Sequence, residues 1–199
     1  DTSIYTMQFI GPPFTFGINL VSANITIASP NAAVAVNDIV YWMGSAEFYS
    51  YSGAVQRIPC TVRDHIFNDF NTSQSDKVFA GSNISFGEIW WFYPSASSTE
   101  NDRYVIYNYQ DNIWYVGTLD RTAWLDRGIF SLPIGAGADN YLFNHETGAK
   151  ADGAAMTAFI ESGDMGVSDG NNFSFISRVL PDLNFRETNV NDTTVDFIF

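Results

Sequence analysis

The sequence predicts a mainly β protein, in which incomplete, propeller-like antiparallel blades over residues 1–155 precede a small, acidic β-sandwich-like segment over 156–199. Three observations carry that expectation. Apolar residues recur with a period of two rather than 3.6. Aromatic runs come in pairs separated by short polar links. The centres of the strongest runs, Trp42, Trp91 and Tyr141, stand about 50 residues apart, the repeat length of the longer four-stranded propeller blades. Composition agrees, because 17 Phe, 10 Tyr and 5 Trp in 199 residues with 16% charge exclude disorder, a coiled coil and a collagen-like fibre.

Each element has its own signal. Ile18, Leu20, Ile25 and Ile27 open an apolar series that stops at Ser29-Pro30. Ile39 to Met43 and Phe48 to Tyr51 flank the polar link Gly44-Ser45-Ala46-Glu47 and read as a hairpin. Val62, Ile66, Phe67 and Phe70 then recur at helical spacing, with Thr61 as N-cap and Asp64 three residues later, which predicts a short helix ending near Asn71. A longer pair follows: Ile89 to Tyr93, then Tyr104 to Tyr109, a Gln110-Asp111-Asn112 turn, and Ile113 to Gly117. Asp and Asn tolerate the left-handed backbone that such a tight turn requires. Tyr141-Leu142-Phe143 opens a weaker third unit, and the alternation Met156, Ala158, Ile160 favours a strand over a helix for 151–160. Three units are too few to close a ring of four to eight blades. Either further blades come from a longer chain or the fold is a sandwich, and the run Thr194 to Phe199, cut in mid-alternation, points to a piece of something longer.

Charge and cysteine usage narrow the function classes. Nine basic against 22 acidic residues leave a net −13, which argues against binding nucleic acid through its phosphates. Ten acids against Lys150, Arg178 and Arg186 make the part after Gly128 strongly negative. Cys60 is the only cysteine and sits among apolar neighbours, so it forms no intrachain disulfide and reads as a small packed residue rather than a nucleophile. No apolar run reaches the roughly 18 residues of a membrane-spanning helix.

Candidate chemistry is sparse. His65 in the short helix and His145 in a turn lack the partners of a metal site, and no G-x-S-x-G elbow supplies a nucleophilic serine. Glu47, Glu88, Glu146 and Glu161 are candidates for a glycosidase-type carboxylate pair, though carboxylates in so acidic a chain are mostly solvated. Glu161 to Asp164 and Ser168 to Asn172 are oxygen-rich turns that could hold calcium, but Asp-Gly turn chemistry accounts for both without a metal. Sequons fall at Asn24, Asn71, Asn83, Asn172 and Asn191. The expectation is no catalytic residue, no cofactor and no metal. Structural weight falls instead on Trp42, Trp90, Trp91, Trp114 and Trp124 as packing anchors or subunit contacts, and on Arg103, Arg121 and Arg127, each beside an Asp, as interface ion pairs.

The aromatic middle resembles a known family. Val40-Tyr41-Trp42-Met43-Gly44, Phe48 to Gly53, Ile58-Pro59-Cys60-Thr61-Val62-Arg63-Asp64, Glu88 to Ser95, Glu100 to Val105 and Arg121-Thr122-Ala123-Trp124-Leu125 resemble the tail-hub, packaged-DNA stabilisation or tail-nozzle proteins of tailed bacteriophages. Ile160 to Asp164 and Leu180 to Leu183 continue it, so the likeness covers roughly residues 30–199. The resemblance implies a structural virion component rather than an enzyme. It implies a propeller-rich subunit in a homo-oligomeric ring, with a hexamer favoured, that meets other tail and adaptor proteins in the virion. Genomic DNA would pass through that ring without specific binding. Family members are typically much longer. The alternative is a carbohydrate- or receptor-binding β module that uses exposed aromatics; a hydrolase is a third.

Overall fold

A computed structural model describes residues 2–148, 150, 151, 153–155, 159, 175, 177, 178 and 180. The chain divides into two compact units, Asp1–Ala154 and Ala155–Phe199. The described residues are mainly β, arranged as several antiparallel sheets, none of them closed.

Two strands, β1 (Ser3–Phe9) and β2 (Phe16–Ala23), form an isolated antiparallel ribbon. The first four-stranded sheet takes β3 (Ala33–Val36), β4 (Ile39–Met43), β5 (Phe48–Tyr51) and β6 (Val55–Ile58) in sequential order. Its first turn is Asn37-Asp38, both at positive φ (52° and 62°), the left-handed pair a two-residue hairpin needs. The helix α1 runs Arg63–Asp69. Thr61 is not its cap: Val62 holds that position with no side-chain hydrogen bond, and the first turn is held by tertiary packing of Ile66 instead.

A second sequential four-stranded sheet follows, of β7 (Phe79–Asn83), β8 (Glu88–Tyr93), β9 (Arg103–Asn108) and β10 (Ile113–Thr118). The β9–β10 turn behaves as its composition requires. Asn112 is left-handed at φ 58°, and the Asn108 side chain accepts from the backbone N–H groups of Gln110 and Asp111, both at 2.9 Å. A shorter third sheet comprises β11 (Ala123–Leu125), β12 (Ile134–Ala136) and β13 (Leu142–Asn144). β14 (Lys150–Ala151) pairs with β15 (Ala154–Ala155). Trp42 and Trp91 occupy the second strand of their sheets, so the repeat in the sequence marks a repeat in strand order. Tyr141 precedes the third strand of the smaller sheet, which is compressed into about 20 residues. The expected strand over 151–160 and the sandwich-like segment over 156–199 lie largely outside the described residues.

The second sheet is buried on both faces. In β8 every residue from Ile89 to Tyr93 is buried, which is why its sequence is an unbroken apolar run instead of an alternation. Ile89, Trp91, Tyr93, Val105, Tyr107 and Trp114 face the first sheet and share one core with Tyr41, Met43, Phe48 and Ile58. Phe48 is central there, with its ring 4.9 Å from Trp91 and 4.8 Å from Trp114. On the opposite face Trp90, Phe92 and Ile106 pack with Phe79, Tyr104 and Trp124. Gly81 makes that second layer possible, since a Cβ there would collide with the Trp124 indole.

Candidate functional site

The five tryptophans fall inside the fold and use their N–H groups there. Trp91 donates to the Ala32 carbonyl (3.0 Å), Trp114 to that of Pro59 (2.9 Å), Trp42 to that of Thr26 (3.1 Å) and Trp124 to that of Ser82 (2.8 Å). Trp90 donates to the Glu88 carboxylate (3.0 Å). Four indoles thus tie a strand to a neighbouring sheet or linker, and none presents a free donor to an outside ligand. The Trp90 and Trp124 rings lie nearly parallel, 5.1 Å apart, with Tyr104 stacked at 5.0 Å from Trp90.

The arginines divide. Arg103 reaches Asp69 and Asp102, each at 3.1 Å, and Asp102 also accepts from the Ser95 N–H (2.7 Å) and hydroxyl (2.8 Å), pinning the loop before β9. Arg121 is only 6% exposed. Its guanidinium lies 4.3 Å from the Phe143 ring centre, donates to the Asp120 carbonyl (2.6 Å) and carboxylate (3.3 Å), and donates through Nε to Nε2 of His145 (3.0 Å). Gly135 leaves the room for this, because a Cβ there would meet Arg121 Cδ and His145 Nε2 at 2.8 Å. Arg127 is exposed, and its neighbour Asp126 turns instead to the Ser82 hydroxyl (2.7 Å) and the Ile84 N–H (3.0 Å).

Ionisable groups converge at the border of the second and third sheets. His145 rests 4.6 Å from the Trp124 ring, and burial, reinforced by the Arg121 charge, pulls its pKa down to about 4. The imidazole is therefore neutral near pH 7, with the Nε2 lone pair committed to Arg121. Beside it the buried Asn83 amide donates to Glu146 (3.0 Å) and Glu88 (3.4 Å). Burial raises the Glu88 pKa, and the Glu146 charge adds to the effect. Two carboxylates thus share one amide, and both are held by donors of the fold. The same geometry seals the Asn83 sequon, whose side chain is fully buried. Glu47, the other described carboxylate of the candidate set, is taken by Arg63 (3.0 Å) and Arg57 (3.3 Å). Cys60 is half-buried against the main core, and burial pushes its thiol up to about 12. Among the described residues no three His, Cys, Asp or Glu side chains gather as metal ligands, and no helix is long and apolar enough to cross a membrane. Glu161 and both oxygen-rich turns lie outside the described residues.

The surface that stands open is elsewhere. A cleft of about 320 Å³ lies between the base of the ribbon and the first sheet, lined by Ile4, Tyr5, Ile25, Val40, Trp42 and Tyr51. Above it the ribbon carries a continuous apolar face. The register sets Tyr5 opposite Leu20, Met7 opposite Ile18 and Phe9 opposite Phe16, and all six side chains are between 57% and 67% exposed. The opposite face bears Thr6, Gln8, Gly17 and Asn19. Of this set the apolar series in the sequence contains only Ile18 and Leu20. The signal that reveals the rest is the matched alternation on either side of Gly11-Pro12-Pro13. No family model matches the chain, and no curated protein matches it.

Proposed function

We propose that the chain is a structural component of a phage tail, a hub or nozzle subunit that extends the DNA channel and helps retain the packaged genome until ejection. The observation that carries this reading is the serial layering of sequential antiparallel sheets. Two four-stranded sheets share one core, and a third packs on the far face of the second, the way consecutive propeller blades stack. The third sheet presents Leu125, Tyr141 and Leu142 as exposed apolar side chains, a surface of the kind that a neighbouring subunit covers.

Electrostatics support a passive wall rather than a DNA grip. Five of the six basic side chains in residues 2–148, Arg57, Arg63, Lys77, Arg103 and Arg121, are held by carboxylates. Cations so engaged are poorly placed to release phosphate counterions. Retention would then be steric, with acidic loops such as Asp139-Asn140 near the lumen. Carbohydrate binding is the weaker reading, because the five indoles, the usual sugar platforms, are packed inside the fold. Immunogold labelling of purified virions and electron microscopy of the protein test the proposal. Tail labelling and rings are expected; absence from the particle, or salt-dependent micromolar DNA affinity, would overturn it.

A further inference from the structure

From the β1–β2 ribbon we infer a self-association surface: its apolar face packs against the same face of a second copy of this chain. A two-stranded ribbon is marginally stable in water unless a third layer covers it. Here the six facing side chains Tyr5, Met7, Phe9, Phe16, Ile18 and Leu20 all stand open to solvent, while the other face is polar. Something covers that face in the working protein.

Area, charge and backbone chemistry select a second copy. The six residues together expose on the order of 700 Å², close to the ~800 Å² per partner of a standard protein interface. Charge sharpens the choice. The chain carries a net −13, yet residues 2–37 contain no Asp, Glu, Lys, Arg or His. Two copies repel one another over much of their surface and meet here without that repulsion, and depletion of charge is what marks the core of an interface. Phe9 and Phe16 are already in edge-to-face contact at 6.0 Å, so the face is preformed rather than collapsed. A lipid bilayer is the competing occupant for an apolar face. A lone ribbon is poorly suited to it, because both outer strand edges would carry unpaired N–H and C=O groups into hydrocarbon. Ribbon pairing stands whether or not the protein belongs to a phage tail.

Light scattering coupled to size-exclusion chromatography of the full chain provides the test. The wild type is expected at twice the one-chain mass or more at tens of micromolar. The double variant Met7→Glu/Ile18→Lys introduces a cross-strand ion pair between directly opposed positions, so the ribbon still forms, but charges the apolar face; it should elute at the one-chain mass. Thr6→Glu/Asn19→Lys, which places the same pair across the polar face, should elute like the wild type. Tryptophan fluorescence checks that the core sheets persist. A second measurement holds if the charged variant misfolds: Met7→Cys should oxidise to a covalent dimer, whereas Gln8→Cys, one residue along and facing away, should not. A monomeric wild type, or a mass unchanged by charging the apolar face, overturns the inference. So does flotation of a monomeric wild type with phosphatidylcholine vesicles that the face variant abolishes, which would assign the surface to lipid.

Discussion

Trp91 donates its indole N–H to the Ala32 carbonyl at 3.0 Å, and both residues are fully buried. With the bond from the Ala80 N–H to the Asn31 carbonyl (2.8 Å), it joins the second sheet to the linker that enters the first, and the Ala32 carbonyl also accepts the Met43 N–H at 3.2 Å. Trp91→Phe should lose the bond while keeping most of the ring contacts with Phe48 and Trp114, at a cost of about 1–3 kcal/mol. Trp91→Ala should cost about 3–5 kcal/mol. Urea unfolding checks both, and a Trp91→Phe midpoint equal to that of the wild type would show that the indole N–H contributes nothing.

Gly81 lets the Trp124 indole lie against β7, where an added methyl group would collide with the ring. Gly81→Ala should therefore destabilise the protein by about 1–3 kcal/mol through overpacking. In a Trp124→Ala background the same substitution should cost far less. A double-mutant cycle read by urea midpoints measures that coupling, and strictly additive costs would rule out the steric account.

Acid should weaken the border of the second and third sheets through His145. Its folded pKa of about 4 lies below the ordinary 6.5, so between those values the unfolded chain binds the extra proton and stability falls as pH drops. The loss should reach on the order of 1–2 kcal/mol by pH 4 and then level off, because solvent around the half-buried ring screens part of the shift. Glu88 works in the opposite sense: its raised pKa means that stability is lost as pH rises above the ordinary carboxylate value. His145→Gln keeps an acceptor for Arg121 without titrating, and it should flatten the urea midpoint between pH 6.5 and 4. An unchanged slope would place the acid sensitivity elsewhere.

The Cys60 thiol, pushed up to about 12 by burial, is almost wholly protonated at pH 8. Its reaction with a disulfide reagent should be at least about a hundredfold slower in the native protein than in urea. Comparable rates in the two states would show that the thiol is open and ionisable.

Much of the architecture can be read from residues 39–58 and 88–117, where the aromatic runs and the polar links Gly44–Glu47 and Gln110–Asn112 agree with the sheets that form. The partner strands β3, β6 and β7 carry weaker signals, because Ala33–Val36, Val55–Ile58 and Phe79–Asn83 are short and mixed, and their strand state comes from pairing with stronger neighbours. β8 conceals its alternation because it is buried on both sides. The indole staples could not be read at all, since Ala32, Pro59, Thr26 and Ser82 accept through backbone carbonyls that leave no trace in residue type. Arg121 was legible as an ion-pair candidate beside Asp120, but its bond to His145, 24 residues away, is a product of the third sheet's fold.

The double burial of the central sheet has a kinetic counterpart. Amides of β8 and β9 can exchange with solvent only when a covering layer lifts away, so they should set the slow limit of hydrogen exchange for the described unit. The ribbon's amides, on a two-stranded arm beyond the shared core, should exchange orders of magnitude faster in the isolated chain. The molecule is thus graded from an interior that opens with global unfolding to an arm that opens by itself, and an arm that opens cheaply can be rearranged on assembly without disturbing the sheets behind it.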